Sequence, residues 1–201
     1  KFDGLTSREE MREFAVEHGY KPVMAFNIIG KLLEQGLFIE VDTDELCPAR
    51  KFQIPEDVIQ QLIDFVEEKM DGKQYLSLSD VKGYRKRLPR LDDFRWNAYL
   101  MRSILVRRGY RQIQKIYNDY RYDKIIIVKE DSPIETFEQL VHHILKEEYD
   151  GNMHEVPVYD FLAEKGIFRE QEYDHMKVLP YEIKNSGKLI QVDELGFVTL
   201  K

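Results

Sequence analysis

The segment Pro55-Glu56-Asp57-Val58-Ile59-Gln60-Gln61-Leu62-Ile63 returns in outline as Pro133-Ile134-Glu135-Thr136-Phe137-Glu138-Gln139-Leu140-Val141, 78 residues further on. Each copy offers a proline suited to a first helical position, acids in the first turn and an apolar stripe. Each then runs on to an Asp-Gly pair, Asp71-Gly72 in one and Asp150-Gly151 in the other. A period of this length is too long for a common solenoid unit and fits a small domain that recurs along the chain. The repeat therefore predicts tandem copies of one module.

The grammar continues beyond these helices. In the middle copy, Tyr75-Leu76-Ser77-Leu78 reads as a short strand, and Ser79 is a candidate cap for a short helix through Arg87 that Leu88-Pro89 breaks. A longer amphipathic helix is expected from Asp93 to Arg108, stopped by Gly109. Two strand-like runs follow, Tyr110 to Ile116 and Lys124 to Val128. Helix, short strand, helix, turn, helix, hairpin is the order of a winged helix-turn-helix.

In the last copy, Val156-Pro157-Val158 precedes a helix through Lys165, with Gly166 as its stop. A second helical stretch runs from Glu170 to Lys184, with a bend or break expected at Pro180. Leu189 to Val192 and Phe197 to Leu200 then form a hairpin around Asp193-Glu194-Leu195-Gly196. The first copy lacks a leading helix. Ser7 caps a helix through Glu17, a second helix spans Pro22 to Gln35, and Leu37 to Val41 begins a wing that returns near Lys51 to Ile54. The stop glycines Gly36, Gly109 and Gly187 are spaced by 73 and 78 residues. The expected fold is α+β and mainly helical, with three modules at 1–53, 54–131 and 132–201. The start at Lys1 rather than Met and the missing leading helix suggest a segment of a longer protein.

The last copy resembles a known domain through Leu140-Val141, Val156 to Glu164, Leu189 to Val192 and Gly196-Phe197-Val198. It is similar to the winged-helix domain of the HARE-HTH type at the N-terminus of the bacterial RNA polymerase delta subunit. The resemblance covers about 65 residues as a pattern of hydrophobics and turns, and it implies the winged-helix fold and a link to transcription. The long acidic tail of that subunit has no counterpart in this sequence.

Charge distinguishes the copies. The chain carries a net -7, yet residues 54–131 hold 16 basic against 13 acidic side chains, and Lys82 to Lys129 holds 14 against 4. On a helical wheel anchored at Phe94, the residues Phe94, Ala98, Met101 and Leu105 form a core stripe. Arg95, Tyr99, Arg102 and Ser103 fall on the opposite face, where a helix-turn-helix presents its groove-reading side chains. Arg85, Lys86, Arg87 and Arg90 suit phosphate contacts, and Arg107, Arg108, Arg111, Lys115, Arg121 and Lys124 extend the positive surface. Tyrosines, Tyr117 among them, and Trp96 lie between these charges and offer stacking faces.

These features point to non-enzymatic nucleic-acid binding, with double-stranded DNA as the partner, in a segment that targets another activity to DNA or connects it to transcription. The corresponding surfaces elsewhere are acidic, with Glu34 and Glu40 in the first module and Glu170, Glu172 and Asp174 in the third. They suit a protein partner, so an assembly scaffold and the targeting region of a nuclease are the alternatives. No cofactor or metal is expected. His143 and Glu147 have i,i+4 spacing without a third ligand, no phosphate loop or nucleophile elbow is present, and Cys47 has no adjacent base. The single cysteine fits a reducing, cytoplasmic setting, and no apolar run is long enough for a membrane helix.

Overall fold

A computed structural model describes residues 2–113 and 120–201. Residues 114–119, with Lys115, Tyr117 and the end of the expected Tyr110–Ile116 strand, lie outside the described residues. The fold is α+β, with eight α-helices and three small antiparallel sheets among the described residues. No described helix is long and apolar enough to cross a membrane. The chain divides into two compact units, Lys1–Glu68 with Gly83–Arg108, and Lys69–Lys82 with Gly109–Lys201. The expected middle segment, 54–131, is thus shared between them.

In the first unit, strand β1 (Thr6–Ser7) leads into helix α1 (Arg8–Glu17). Ser7 Oγ accepts from the Glu10 N–H at 3.0 Å, and Glu10 Oε2 accepts from the Ser7 N–H at 2.8 Å, which is a complete capping box. Helix α2 (Pro22–Glu34) starts on a proline at a first-turn position, where the missing N–H costs nothing. Strands β2 (Phe38–Glu40) and β3 (Glu45–Pro48) pair antiparallel, with β1 on the far side of β3. The wing returns at β3, earlier than the expected Lys51–Ile54. Asp42 turns the chain by accepting the Thr43 N–H at 2.7 Å, and Ala49–Lys51 instead coils into a 3-10 turn. Met11, Ile29 and Leu46 form the centre of this core, and Cys47 is buried beside it in β3.

Helix α3 (Glu56–Met70) closes on Asp71 and Gly72, both left-handed at φ 47° and 79°. The other expected helix of this pair differs at both ends. Helix α6 (Phe137–Glu148) begins four residues after Pro133, because Thr136 and Gln139 form a capping box there. It ends in extended backbone at Tyr149. Gly151 is not a left-handed stop. Its hydrogen faces the Tyr149 ring, which a Cβ would meet at 2.7 Å.

The second unit holds β4 (Tyr75–Ser77), β5 (Tyr110–Gln112) and β6 (Ile126–Lys129), ordered β4-β6-β5. Tyr75, Ile126 and Val128 of this sheet share one core with Leu140, Val141 and Ile144 of α6, and with Val158, Tyr159 and Leu162 of helix α7 (Glu155–Glu164). This shared core explains why the sheet belongs with the C-terminal elements. Val156-Pro157-Val158 lies inside the first turn of α7 rather than before it. The expected 170–184 helix is replaced by irregular chain with one 3-10 turn, and helix α8 (Tyr181–Ser186) starts only after Pro180. Strands β7 (Ile190–Val192) and β8 (Val198–Leu200) complete a hairpin whose turn is held by Asp193 Oδ1, which accepts the Leu195 and Phe197 N–H groups at 2.9 Å.

Several acids of the C-terminal segment are turned inward. Glu155, 8% exposed, accepts from Lys184 Nζ and from the Leu179 N–H. Glu148 accepts from Lys73 Nζ at 2.8 Å, Tyr75 OH at 2.8 Å and Lys165 Nζ at 2.9 Å. Glu170 and Glu172 remain exposed.

One chain order recurs. In β1–β3 and in β4–β6, a first short strand is followed by two helices and a hairpin, and the last strand lies between the other two. In the C-terminal segment, a single bridge from His154 to Phe197 takes the place of the first strand.

Candidate nucleic-acid interface

The basic segment of the first unit is organised by two buried anchors. Helix α4 (Tyr84–Arg87) starts at Gly83, whose φ of 93° favours glycine, and ends where Leu88 turns extended ahead of Pro89 and buries its side chain. Ser79 does not cap it, since the Ser79 hydroxyl accepts the Ile125 N–H at 2.8 Å instead. Trp96 is buried, and its Nε1 donates to the Pro89 carbonyl at 2.7 Å, closing the chain between α4 and α5 (Ala98–Leu105) into a loop. Phe94 packs against Phe52 with ring centroids 5.3 Å apart.

That loop surrounds a depression of about 610 Å³, lined by Arg85, Arg90 and Arg95 together with Asp92, Asp93 and Trp96. Arg85, Lys86, Arg87, Arg90 and Arg95 are all exposed. Among the described residues, Lys86, Arg90 and Arg95 form no ion pair, whereas Arg87 pairs with Glu68 at 3.2 Å and Arg108 with Glu56 at 2.7 Å. Arg85 lies over the Tyr84 ring at 5.9 Å. Unpaired guanidinium forks near an aromatic floor can take up phosphate oxygens in bidentate fashion. The two aspartates of the depression keep its net charge modest.

Helix α5 is shorter than the expected Asp93–Arg108, and its faces are assigned differently. Asn97 caps it: Oδ1 accepts the Leu100 N–H at 2.9 Å, while Nδ2 donates to the Val41 carbonyl at 2.8 Å. Phe94 and Arg95 therefore precede the helix, and the wheel anchored on Phe94 does not apply to them. The buried side is Leu100, Met101, Ser103, Ile104 and Leu105.

Ser103, expected opposite the core, is 4% exposed and donates its hydroxyl to the Glu40 carbonyl at 2.7 Å. Arg102 is drawn to the same place, where its guanidinium pairs with the Glu40 carboxylate, which also receives Arg8. Burial, with the Arg8 and Arg107 guanidiniums nearby, pushes Arg102 down to about 10, so it stays charged at neutral pH. Two of the four residues assigned to a groove-reading face thus hold α5 against β2. Tyr99 is half-buried.

Arg107 is exposed and donates to the Ser103 carbonyl within its own helix turn. Arg111 lies in the second unit, half-buried, with its guanidinium on the Ser132 carbonyl at 2.6 Å. Arg121 and Lys124 of that unit are likewise engaged, Arg121 with the Met176 carbonyl at 2.9 Å and Lys124 with Asp80 at 2.6 Å.

Sequence reasoning put Glu40 on an acidic surface suited to a protein partner, whereas its carboxylate is mostly buried and gathers Arg8 and Arg102. It also overlooked Asn97, although an asparagine just before Ala98-Tyr99-Leu100 is an N-cap signal that would have moved the helix start. Compared with known proteins, the chain fits no family model and matches no curated protein and no solved structure.

Proposed function

We propose that the chain is a non-enzymatic nucleic-acid-binding protein of three tandem winged helix-turn-helix modules, which contacts double-stranded DNA through the loop between α4 and α5. The observation that carries this reading is the pair of exposed cations without ion pairs, Arg90 and Arg95, lining a depression shared with Arg85 and Trp96, with the exposed Lys86 next to Arg85 in α4. The recurring order of strand, two helices and hairpin supports the winged-helix reading.

Arg85, Lys86, Arg87, Arg90 and Arg95 act as phosphate contacts, with Arg107 and Arg108 at the end of α5 as further cations. Arg102 and Ser103 are committed to Glu40, so binding rests on the backbone more than on base edges. Such a segment anchors another activity, including transcription, to DNA with low sequence preference.

Titration of a labelled duplex across a salt series tests the proposal. Affinity that falls steeply with salt and weakens in Arg90→Ala/Arg95→Ala supports it. Absence of binding at low salt refutes it, and equal affinity for single-stranded RNA would move the partner away from duplex DNA.

A further inference from the structure

The depression between α4 and α5 holds charges of both signs that do not pair with one another. Arg90 and Arg95 line it together with Asp92 and Asp93, all four are exposed, and none of them forms an ion pair among the described residues. A cavity meant for phosphate alone gains nothing from two carboxylates, which repel the anion that the guanidiniums attract. Its volume of about 610 Å³ is larger than a phosphate group fills and falls among small-ligand sites, roughly 300–1,000 Å³. The rest of the wall is apolar, with the half-buried Leu91 and Phe94 beside Leu88, Pro89 and Trp96. The hole therefore offers cations for an anion, acceptors for N–H donors and a surface for a flat ring.

We propose that this depression takes one unpaired guanine nucleotide of a DNA strand, a step that rests on the nucleic-acid reading of the same loop. The phosphate goes to the guanidiniums of Arg85, Arg90 and Arg95, and the base lies against Phe94 and Leu91. An unpaired base is read along its Watson–Crick edge. Guanine presents two adjacent donors there, N1–H and the exocyclic N2–H, and a carboxylate, which only accepts, takes both as a fork. Asp92 and Asp93 supply that carboxylate. Thymine offers a single N–H between two carbonyl oxygens, which a carboxylate repels. Adenine and cytosine carry a ring-nitrogen acceptor next to their amino group. In an intact duplex the guanine donors are occupied by cytosine, so the preference concerns strand ends and unpaired stretches and leaves duplex contacts indifferent to sequence. The chemistry recognised is a guanosine monophosphate unit, which a strand end and the free nucleotide both supply.

Fluorescence anisotropy with the full 201-residue chain tests this on one duplex in three forms: blunt, with a thymine overhang, and with the same overhang carrying a guanine. The guanine overhang should bind roughly tenfold tighter than the other two forms. Asp92→Asn/Asp93→Asn alters exposed side chains and removes two negative charges, so it should tighten binding to the blunt duplex while abolishing the guanine preference. Arg90→Ala/Arg95→Ala should weaken all three forms. Unlabelled deoxyguanosine monophosphate should displace bound DNA more effectively than thymidine monophosphate. Equal affinity for the three forms, with the two nucleotides equally ineffective, overturns the inference and leaves duplex binding standing. Absence of binding to every form at low salt overturns both. A preference for deoxyguanosine monophosphate without any overhang advantage makes the free nucleotide the ligand and overturns its supply by a strand end. A guanine preference that survives Asp92→Asn/Asp93→Asn overturns the role of the carboxylates.

Discussion

Arg102 and Glu40 form an ion pair that fastens helix α5 to strand β2, with the Arg102 side chain 21% and the Glu40 side chain 12% exposed. One residue along, the Ser103 hydroxyl reaches the Glu40 backbone carbonyl. A glutamate in the N-terminal hairpin thus receives both the charge and the hydroxyl that a free-standing reading of α5 assigns to DNA. The wing of one segment and a helix of the next are joined by polar contacts in addition to apolar packing.

Removing one partner of a mostly buried pair leaves the other charge without its full compensation. Arg102→Ala should therefore destabilise the first unit by about 1–3 kcal/mol, less than for a fully isolated pair because Arg8 also reaches Glu40. Urea denaturation of the variant measures this. Arg95→Ala, at an exposed position outside any helix, should change stability by less than about 0.5 kcal/mol. Equal losses in the two variants would contradict the placement of these arginines.

Asn97 serves two elements at once, through the Leu100 N–H and the Val41 carbonyl. Asn97→Ala removes the helix cap and leaves a partly buried carbonyl without its donor, at a cost of about 1–3 kcal/mol. Asn97→Asp keeps the cap but exchanges the amide donor for a carboxylate facing the Val41 oxygen. It should recover only part of the loss, and full recovery in thermal melts would show that the Val41 contact contributes nothing.

Local signals were legible where the chain satisfies its own backbone. Ser7 and Glu10 announce α1, Pro22 announces α2, and Gly36, Gly109 and Gly187 all adopt the left-handed φ expected of stops. Legibility ended where distant residues decide. Periodicity alone continues a helix from Asp93 to Arg108, but Trp96 is held by the Pro89 carbonyl and Asn97 by Val41, so the helix starts at Ala98. The face of α5 is likewise set by Glu40, 62 positions before Arg102, and no local pattern encodes that partner. Net charge marks the basic segment but does not separate Arg90 and Arg95 from cations already engaged, such as Arg111 on the Ser132 carbonyl.

If the α4–α5 loop contacts the DNA backbone, each phosphate-contacting cation adds about 0.9 to the slope of log affinity against log salt. Arg90→Ala and Arg95→Ala should each reduce the slope by about 0.9, and the double variant by about twice that. Arg102→Ala should leave the slope unchanged once the variant is shown to be folded. A slope that falls with Arg102→Ala and not with Arg95→Ala would return the interface to the face of α5 first expected from the wheel.

Glu148 links the second unit to acidity. Burial by itself raises the pKa of this carboxyl, but hydrogen bonds from Lys73, Lys165 and Tyr75 outweigh it and hold the group at about 2, against an ordinary 4.5. The folded state thus binds its proton less readily than the unfolded chain. The stabilisation is fully present above pH 4.5 and is lost as the pH falls from there towards 2, where the carboxyl protonates even when folded. Hydrogen exchange of α6 and β4 amides across this range should show protection declining with acid. In Glu148→Gln, the amide still accepts from Tyr75 but no longer attracts the two lysines. The variant should be less protected at neutral pH and should have a flatter profile between pH 4.5 and 2. An unchanged acid profile in the variant would mean that another carboxylate carries the acid sensitivity of this unit, Glu138 first, where burial is outweighed by hydrogen bonds from Ser186, Leu189 and Ile190 that hold it below its ordinary range.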